Sequence, residues 1–251
     1  MAASKIIVLI TGGNSGVGFG LASQLLNRGT YHVLLGSRST DKGRDAVKDL
    51  QARHESQSDA VELLQIDVTD DDSIDKAAVT VRNKHGKVDV IVNNAGLAGM
   101  ELPLRQAMRE AFDVNAAGPA AVVNAFAPLL RKSSMTSPPP RIINVSSGAG
   151  SINRCLDPTS PLYGMLGYQY RSTKAAMNMV TACQWVEYGK EGIKVFAYDP
   201  GFTISNLSAH NKAENGARSA EESASSLVDV IEGKRDDEAG MFLHNTGIYP
   251  W

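Results

Sequence analysis

Short runs of aliphatic and β-branched residues alternate along this chain with longer stretches whose apolar positions recur at helical spacing. The runs over 5–10, 31–37, 61–66, 88–92, 141–145, 193–198 and 240–243 predict strands, and the stretches over 18–28, 41–53, 72–85, 104–131 and 168–189 predict helices between them. The strand runs show little polar alternation, so they are expected to be buried on both faces, in a parallel sheet covered by helices on each side. The predicted fold class is α/β, a single doubly wound domain over 1–251 with about seven strands and no internal repeat or linker. Two segments break the alternation. The stretch 133–140 is a Ser/Thr/Pro loop whose three consecutive prolines stop a helix, and 151–167 is a long irregular loop carrying Pro158 and Pro161 directly ahead of the 168–189 helix.

Composition narrows the partners more than the fold. The formal net charge of −2 offers nothing to nucleic acid or an anionic membrane, and 43% hydrophobic residues over 251 positions supply a full core, so a soluble protein with a small-molecule partner is expected. Cys155 and Cys183 form neither a disulfide framework nor a zinc motif, and the first apolar run, from Ile6 to Ile10, is too short for a leader or a membrane span. A reducing, cytoplasmic setting follows. The five histidines are scattered along the chain, so no metal site is expected.

Candidate chemistry begins where the first strand ends. Thr11-Gly12-Gly13-Asn14-Ser15-Gly16-Val17-Gly18 lies between a predicted strand and a predicted helix, where a turn without side chains lets a pyrophosphate reach free N–H groups at a helix start. At the end of the second strand, Ser37 and Arg38 stand where an acidic residue would bond a ribose 2′-hydroxyl. A hydroxyl and a guanidinium suit a 2′-phosphate instead, which favours NADP(H) over NAD(H). Further on, Tyr170 and Lys174 are spaced to share one helical face, where a cation can stabilise a phenolate and make the phenol a proton donor.

The glycine spacing Thr-Gly-x-x-x-Gly-x-Gly, the run Asn93-Asn94-Ala95-Gly96, Asn115, Ser147 and the Tyr170/Lys174 pair occur in one order. In that order the chain resembles the short-chain dehydrogenase/reductase family and its Rossmann-type fold, from about residue 5 to the end. The resemblance implies a catalytic set of Asn115, Ser147, Tyr170 and Lys174. Tyr170 would protonate a carbonyl oxygen and Lys174 would lower the phenol's pKa and bond the nicotinamide ribose. Ser147 would bond the same substrate oxygen, and Asn115 would hold a water linking Lys174 to solvent. Ser146 is the neighbouring alternative to Ser147, while Tyr163 and Tyr168 lack a lysine four residues on. The resemblance also implies cofactor contacts from Gly12, Asn14, Ser15, Gly16, Val17, Gly18, Asp67, Val68, Asn94, Ala95 and Gly96. On the nicotinamide side it implies Pro200, Gly201, Thr203 and Ser205, beside Tyr170 and Lys174.

Ser147 and Tyr170 stand 23 positions apart, a longer interval than is usual in the family, and the ending Gly240 to Trp251 resembles the carbonyl-reductase-like branch. The segments 151–167 and 206–220 are therefore expected to shape the substrate site, the second as a mobile lid. Leu156, Leu162, Tyr163, Met165 and Leu166 point to an apolar or aromatic carbonyl. The expected activity is NADPH-dependent reduction of a ketone or aldehyde. Alcohol oxidation by the same residues, or dinucleotide binding without redox turnover, are the alternatives. The helices bearing Asn115 and Tyr170 are where family dimers and tetramers meet, so the chain is expected as a monomer or a homo-oligomer through them.

Overall fold

A computed structural model describes residues 5–99, 102–133 and 138–251. Eight strands form one sheet: β1 (Ile6–Ile10), β2 (Tyr31–Ser37), β3 (Val61–Gln65), β4 (Val90–Asn93), β5 (Arg141–Val145), β6 (Lys194–Asp199), β7 (Phe242–His244) and β8 (Gly247–Tyr249). Their spatial order is β3-β2-β1-β4-β5-β6-β7-β8, parallel throughout except for the antiparallel β7–β8 hairpin. The helices are α1 (Gly16–Arg28), α2 (Thr40–Arg53), α3 (Asp71–His85), α4 (Leu104–Phe112), α5 (Gly118–Leu130), α6 (Ile152–Leu156), α7 (Tyr168–Tyr188) and α8 (Ala220–Ile231). Among the described residues no helix is long and apolar enough to cross a membrane.

Local chemistry sets many of the element ends. The side chains of Ser39, Asp70 and Ser219 accept backbone N–H bonds at the starts of α2, α3 and α8, and Gly29 and Gly86 close α1 and α3 in the left-handed conformation. The apolar strands then bury both faces. Leu21, Leu25, Leu227 and Ile231 cover one side together with Val8, Val33 and Phe196, and Ile74, Val81, Val122 and Phe126 cover the other with Leu9, Leu34 and Ile91. The chain runs outward from β1 to β3 and then crosses back to place β4 on the other side of β1. A crevice at the carboxyl ends of β1 and β4 is the position where open α/β sheets bind ligands.

Four expectations change. The single helix over 104–131 is broken by a π-helical turn at Asp113–Ala117. The helix α8 and the strand β8 lay outside the elements predicted, and the 151–167 loop contains the short helix α6. Residues 134–137 of the 133–140 loop lie outside the described residues.

Candidate active site

The turn after β1 is shaped by close backbone approach. Gly12 has φ +61°, and a Cβ there would stand 2.8 Å from the Cα of Ala95, in the segment that follows β4. Gly16, φ +55°, would bring a Cβ to 3.0 Å from that of Ser205. Both positions need glycine for their backbone and for their neighbours. Thr11 locks the turn from beneath, its hydroxyl oxygen accepting from the backbone N–H groups of Asn94 (3.0 Å) and Ala95 (3.1 Å). The Asn94 side chain donates back to the carbonyls of Thr11 and Gly12 at 2.9 and 3.0 Å, so its amide nitrogen stitches two loops together. Asn93 likewise bonds across the sheet to Asn144, and Gly96 sits beside the Asn115 amide. Ser15 ends the turn with extended backbone and makes no side-chain cap, which leaves the first N–H groups of α1 without a hydroxyl partner from Ser15. Val17 turns its side chain to the core, so it can serve a ligand only through its backbone, and Asn14 lies in the turn itself. This bare turn on a helix start is a cradle of the kind a dinucleotide pyrophosphate requires.

Around the crevice the other expected residues separate into free and committed groups. Ser37 is buried and gives its hydroxyl proton to the Ser39 carbonyl at 2.8 Å, which leaves it no donor for a phosphate. Arg38 is exposed and forms no ion pair among the described residues. Asp67 spends one carboxylate oxygen on the N–H and hydroxyl of Thr69, while the Val68 carbonyl lies against Gly118. On the far side, Pro200 and Gly201 form a turn with Gly201 at φ +78°. Ser205 faces Gly16, but Thr203 is buried and bonds Gly201 and Ser223, away from the glycine turn. A cavity of about 510 Å³ lies between Gly16, Ser205, Asn206 and Lys212. The 206–220 segment is tied to this turn by Asn211, whose amide donates to the Thr203 carbonyl.

Next to this crevice lie all four residues of the expected catalytic set. Ser147 lies close enough to Tyr170 to act on its phenol, and its hydroxyl oxygen accepts from the Ala149 N–H at 3.2 Å. Ser146, one residue earlier, is turned to the opposite side and donates to Asn178 Oδ1 at 2.6 Å. Lys174, 4% exposed, donates from Nζ to the Val145 carbonyl at 2.8 Å and stands 5.8 Å from the centre of the Tyr170 ring. Tyr163 and Tyr168 are exposed.

Burial dominates the electrostatics of the Tyr170 and Lys174 pair. Burial pushes the Tyr170 phenol up to about 12, with Ser147 opposing this and the Asp199 charge adding to it. Burial brings Lys174 down to about 8, which still leaves it mostly charged at neutral pH. The phenol therefore holds its proton here.

Asn115 is held by its own side chain. Its Nδ2 donates to the Leu97 carbonyl and to Thr173 Oγ1, and its Oδ1 accepts from the Leu97 N–H, at 2.8, 2.9 and 2.8 Å. Both amide protons are used within the protein, so the side chain pins three segments together. The π turn presents it inward, and Thr173, which the sequence reading passed over, carries the pin to the stretch between Tyr170 and Lys174.

Three more residues at the site gave no motif signal. Buried Asp199 accepts from the N–H of Gly148 at 2.9 Å and of Gly201 at 2.8 Å, joining the turn after Ser147 to the Pro200–Gly201 turn. Burial raises its carboxyl pKa, against the N–H bonds and the Arg154 charge. The Arg154 guanidinium lies against Gly148 and 4.0 Å above the Tyr249 ring. Arg171 donates to the carbonyls of Ala149, Leu162 and Met165, fastening the 151–167 segment to α7.

Comparison with known proteins agrees with this geometry. A family model described as short chain dehydrogenase matches residues 6–216. A short-chain dehydrogenase of Penicillium roqueforti is 38% identical over 90% of this chain and 88% of its own length. A short-chain dehydrogenase/reductase of Talaromyces stipitatus is 35% identical over 97% and 96%. Among solved structures, the NADPH-bound carbonyl reductase from chicken fatty liver superposes with a TM-score of 0.84 at 29% identity, covering 99% of this chain and 100% of that one. With the glycine cradle at the sheet crevice and the serine, tyrosine and lysine beside it, these likenesses establish that the chain belongs to the short-chain dehydrogenase/reductase family of oxidoreductases.

Proposed function

We propose that the protein reduces an apolar or aromatic ketone or aldehyde to the alcohol with NADPH, Tyr170 giving the proton. The observation that carries this reading is the half-buried Tyr170 phenol, held protonated with Ser147 and Lys174 beside it. A bound NADPH would supply the hydride to the carbonyl carbon. As charge develops on the carbonyl oxygen, Ser147 and Tyr170 are the two hydroxyls placed to bond it. An alkoxide is a stronger base than a phenolate, so a phenol with a pKa near 12 still gives up its proton downhill. Lys174 brings a cation to the site and anchors β5 to α7 through the Val145 carbonyl.

The backbone of Asn14, Ser15 and Gly16 and the start of α1 would hold the pyrophosphate, and Ala95 and Gly96 would flank the adenosine half. The Pro200–Gly201 turn and Ser205 would face the nicotinamide half. Free Arg38 supports NADP(H), because a guanidinium can pair with a 2′-phosphate; Ser37, its proton spent, contributes little. The NADPH-bound relative is consistent with this choice. Exposed Leu156, Tyr163, Met165 and Leu166 give the substrate segment an apolar surface.

The decisive variant is Tyr170→Phe. It should fold and bind NADPH as the parent does while losing about 10²- to 10⁴-fold in carbonyl-dependent NADPH oxidation. Near-parental turnover would remove Tyr170 from the acid role. For the cofactor, Arg38→Leu should raise the KM for NADPH by about 10- to 100-fold with little change for NADH, the loss of a charge-assisted bond. An unchanged ratio of kcat/KM for the two cofactors would contradict the assignment.

A further inference from the structure

At the amino-terminal edge of the sheet, away from the glycine cradle, three ligand-type side chains from three elements converge. His32 lies near the start of β2, Glu62 near the start of β3 and His85 at the end of α3. Both imidazoles point their Nε2 atoms at the same carboxylate oxygen, Glu62 Oε1, at 3.2 Å from His32 and 2.6 Å from His85. The ring centres are 5.0 Å apart, and the three candidate ligand atoms all lie within 4.8 Å of one another. The side chains are 13–24% exposed, enclosed enough to be ordered by their surroundings and open enough for a hydrated ion to enter.

We propose that His32, Glu62 and His85 form a binding site for a divalent transition-metal ion of the zinc class. Two neutral imidazoles and one carboxylate are a donor set that suits zinc, with a water completing a tetrahedron. Zinc bonds of about 2.0–2.2 Å at tetrahedral angles place neighbouring ligand atoms roughly 3.3 Å apart. The His32 to Glu62 distance already matches that, and the His85 to Glu62 distance needs to open by about 0.7 Å. The competitor is Lys84, whose ammonium bonds Glu62 Oε2. Its side chain is 58% exposed and can swing into solvent, leaving the carboxylate to the metal. Five strand steps of about 3.3 Å separate His32 from Ser37 at the cofactor edge, roughly 16 Å, so the ion would act as a clip on β2, β3 and α3 and take no part in carbonyl reduction.

The test is titration of the full chain with zinc chloride by calorimetry in a non-chelating buffer, paired with thermal melts. Binding of one ion per chain is expected, reversed by EDTA, with a Tm rise of about 5–10 °C when zinc is near a hundredfold above its Kd. His85→Ala and Glu62→Gln should each remove that binding, whereas Lys84→Ala, which deletes the competing cation, should bind at least as tightly as the parent. Cobalt should give the visible absorption of a tetrahedral nitrogen–oxygen site in the parent and not in His85→Ala. Circular dichroism of the metal-free variants separates loss of ligand from loss of fold, and His32→Ala serves if either of the first two fails to fold. Absence of saturable binding, or binding that survives loss of His85 and Glu62, would overturn the proposal.

Discussion

Lys174 shows how one side chain can carry opposite costs and benefits. Its folded pKa, about 8, lies below the usual 10.5 because burial penalises the ammonium. Below pH 8 both folded and unfolded states bind the proton and the full burial cost is present. Between pH 8 and 10.5 the folded state is neutral while the unfolded state still holds the proton, so stability from this group rises with pH across that window. Lys174→Met should therefore melt higher than the parent at pH 7, by on the order of 1–3 kcal/mol, with the advantage shrinking towards pH 10.5. It should also lose carbonyl reduction. Urea denaturation at pH 7 and pH 10, alongside turnover, checks both; a variant that is less stable at pH 7 would show that the Val145 bond outweighs the buried charge. The parent's own turnover should decline as pH rises through about 8, where the ammonium is lost. Tyr170 and Lys174 were legible in the sequence because four residues is one helical turn. Their pKa values were not, since desolvation depends on what the fold packs around them.

At the scale of elements, the site is assembled by joints that local patterns do not announce. The amphipathic stretch over 104–131 reads as one helix, yet the π turn at Asp113–Ala117 rotates the two halves so that Asn115 reaches Leu97 and Thr173. The turn after β5 and the turn after β6 are held in register by Asp199, through two N–H bonds to one carboxylate. Asp199→Asn puts an NH₂ donor against one of those N–H groups. It should cost about 1–3 kcal/mol in stability and raise the KM for NADPH, because the Pro200–Gly201 turn loses its tie to the Ser147 turn. Chemical denaturation and NADPH titration measure the two effects, and unchanged cofactor affinity would mean that the turn is fixed without Asp199. Strands β1 to β7 were legible to within two residues because burial on both faces leaves an apolar run, whereas the short edge strand β8 was not. Helix α8 was missed because the polar stretch before it masks its start, although Ser219 and Glu222 make a serine-glutamate capping pattern.

Across the whole molecule, the carboxyl-terminal hairpin braces the 151–167 segment. Strand β8 folds back on β7 and brings Tyr249 under the Arg154 guanidinium, while Ser151 and Asn153 bond the carbonyls of Pro250 and Trp251. The 151–167 segment is thus braced by residues about a hundred positions later and by Arg171 on α7. Tyr249→Ala should raise the KM for the carbonyl substrate several-fold and leave NADPH affinity unchanged, as steady-state kinetics with each substrate varied would show. Equal effects on both would place Tyr249 in the cofactor site. By itself the sequence determined the parallel sheet, the glycine cradle and the tyrosine, serine and lysine of the site, because each depends on a short-range pattern: apolar runs, a strand-turn-helix junction, one helical turn. Tertiary structure decided which polar groups stay free and which are spent, Arg38 against Ser37, and that the Asn115 side chain ties Leu97 to Thr173. It also brought His32, Glu62 and His85 together from positions up to 53 residues apart, since only the packing of α3 over the sheet makes distant residues neighbours.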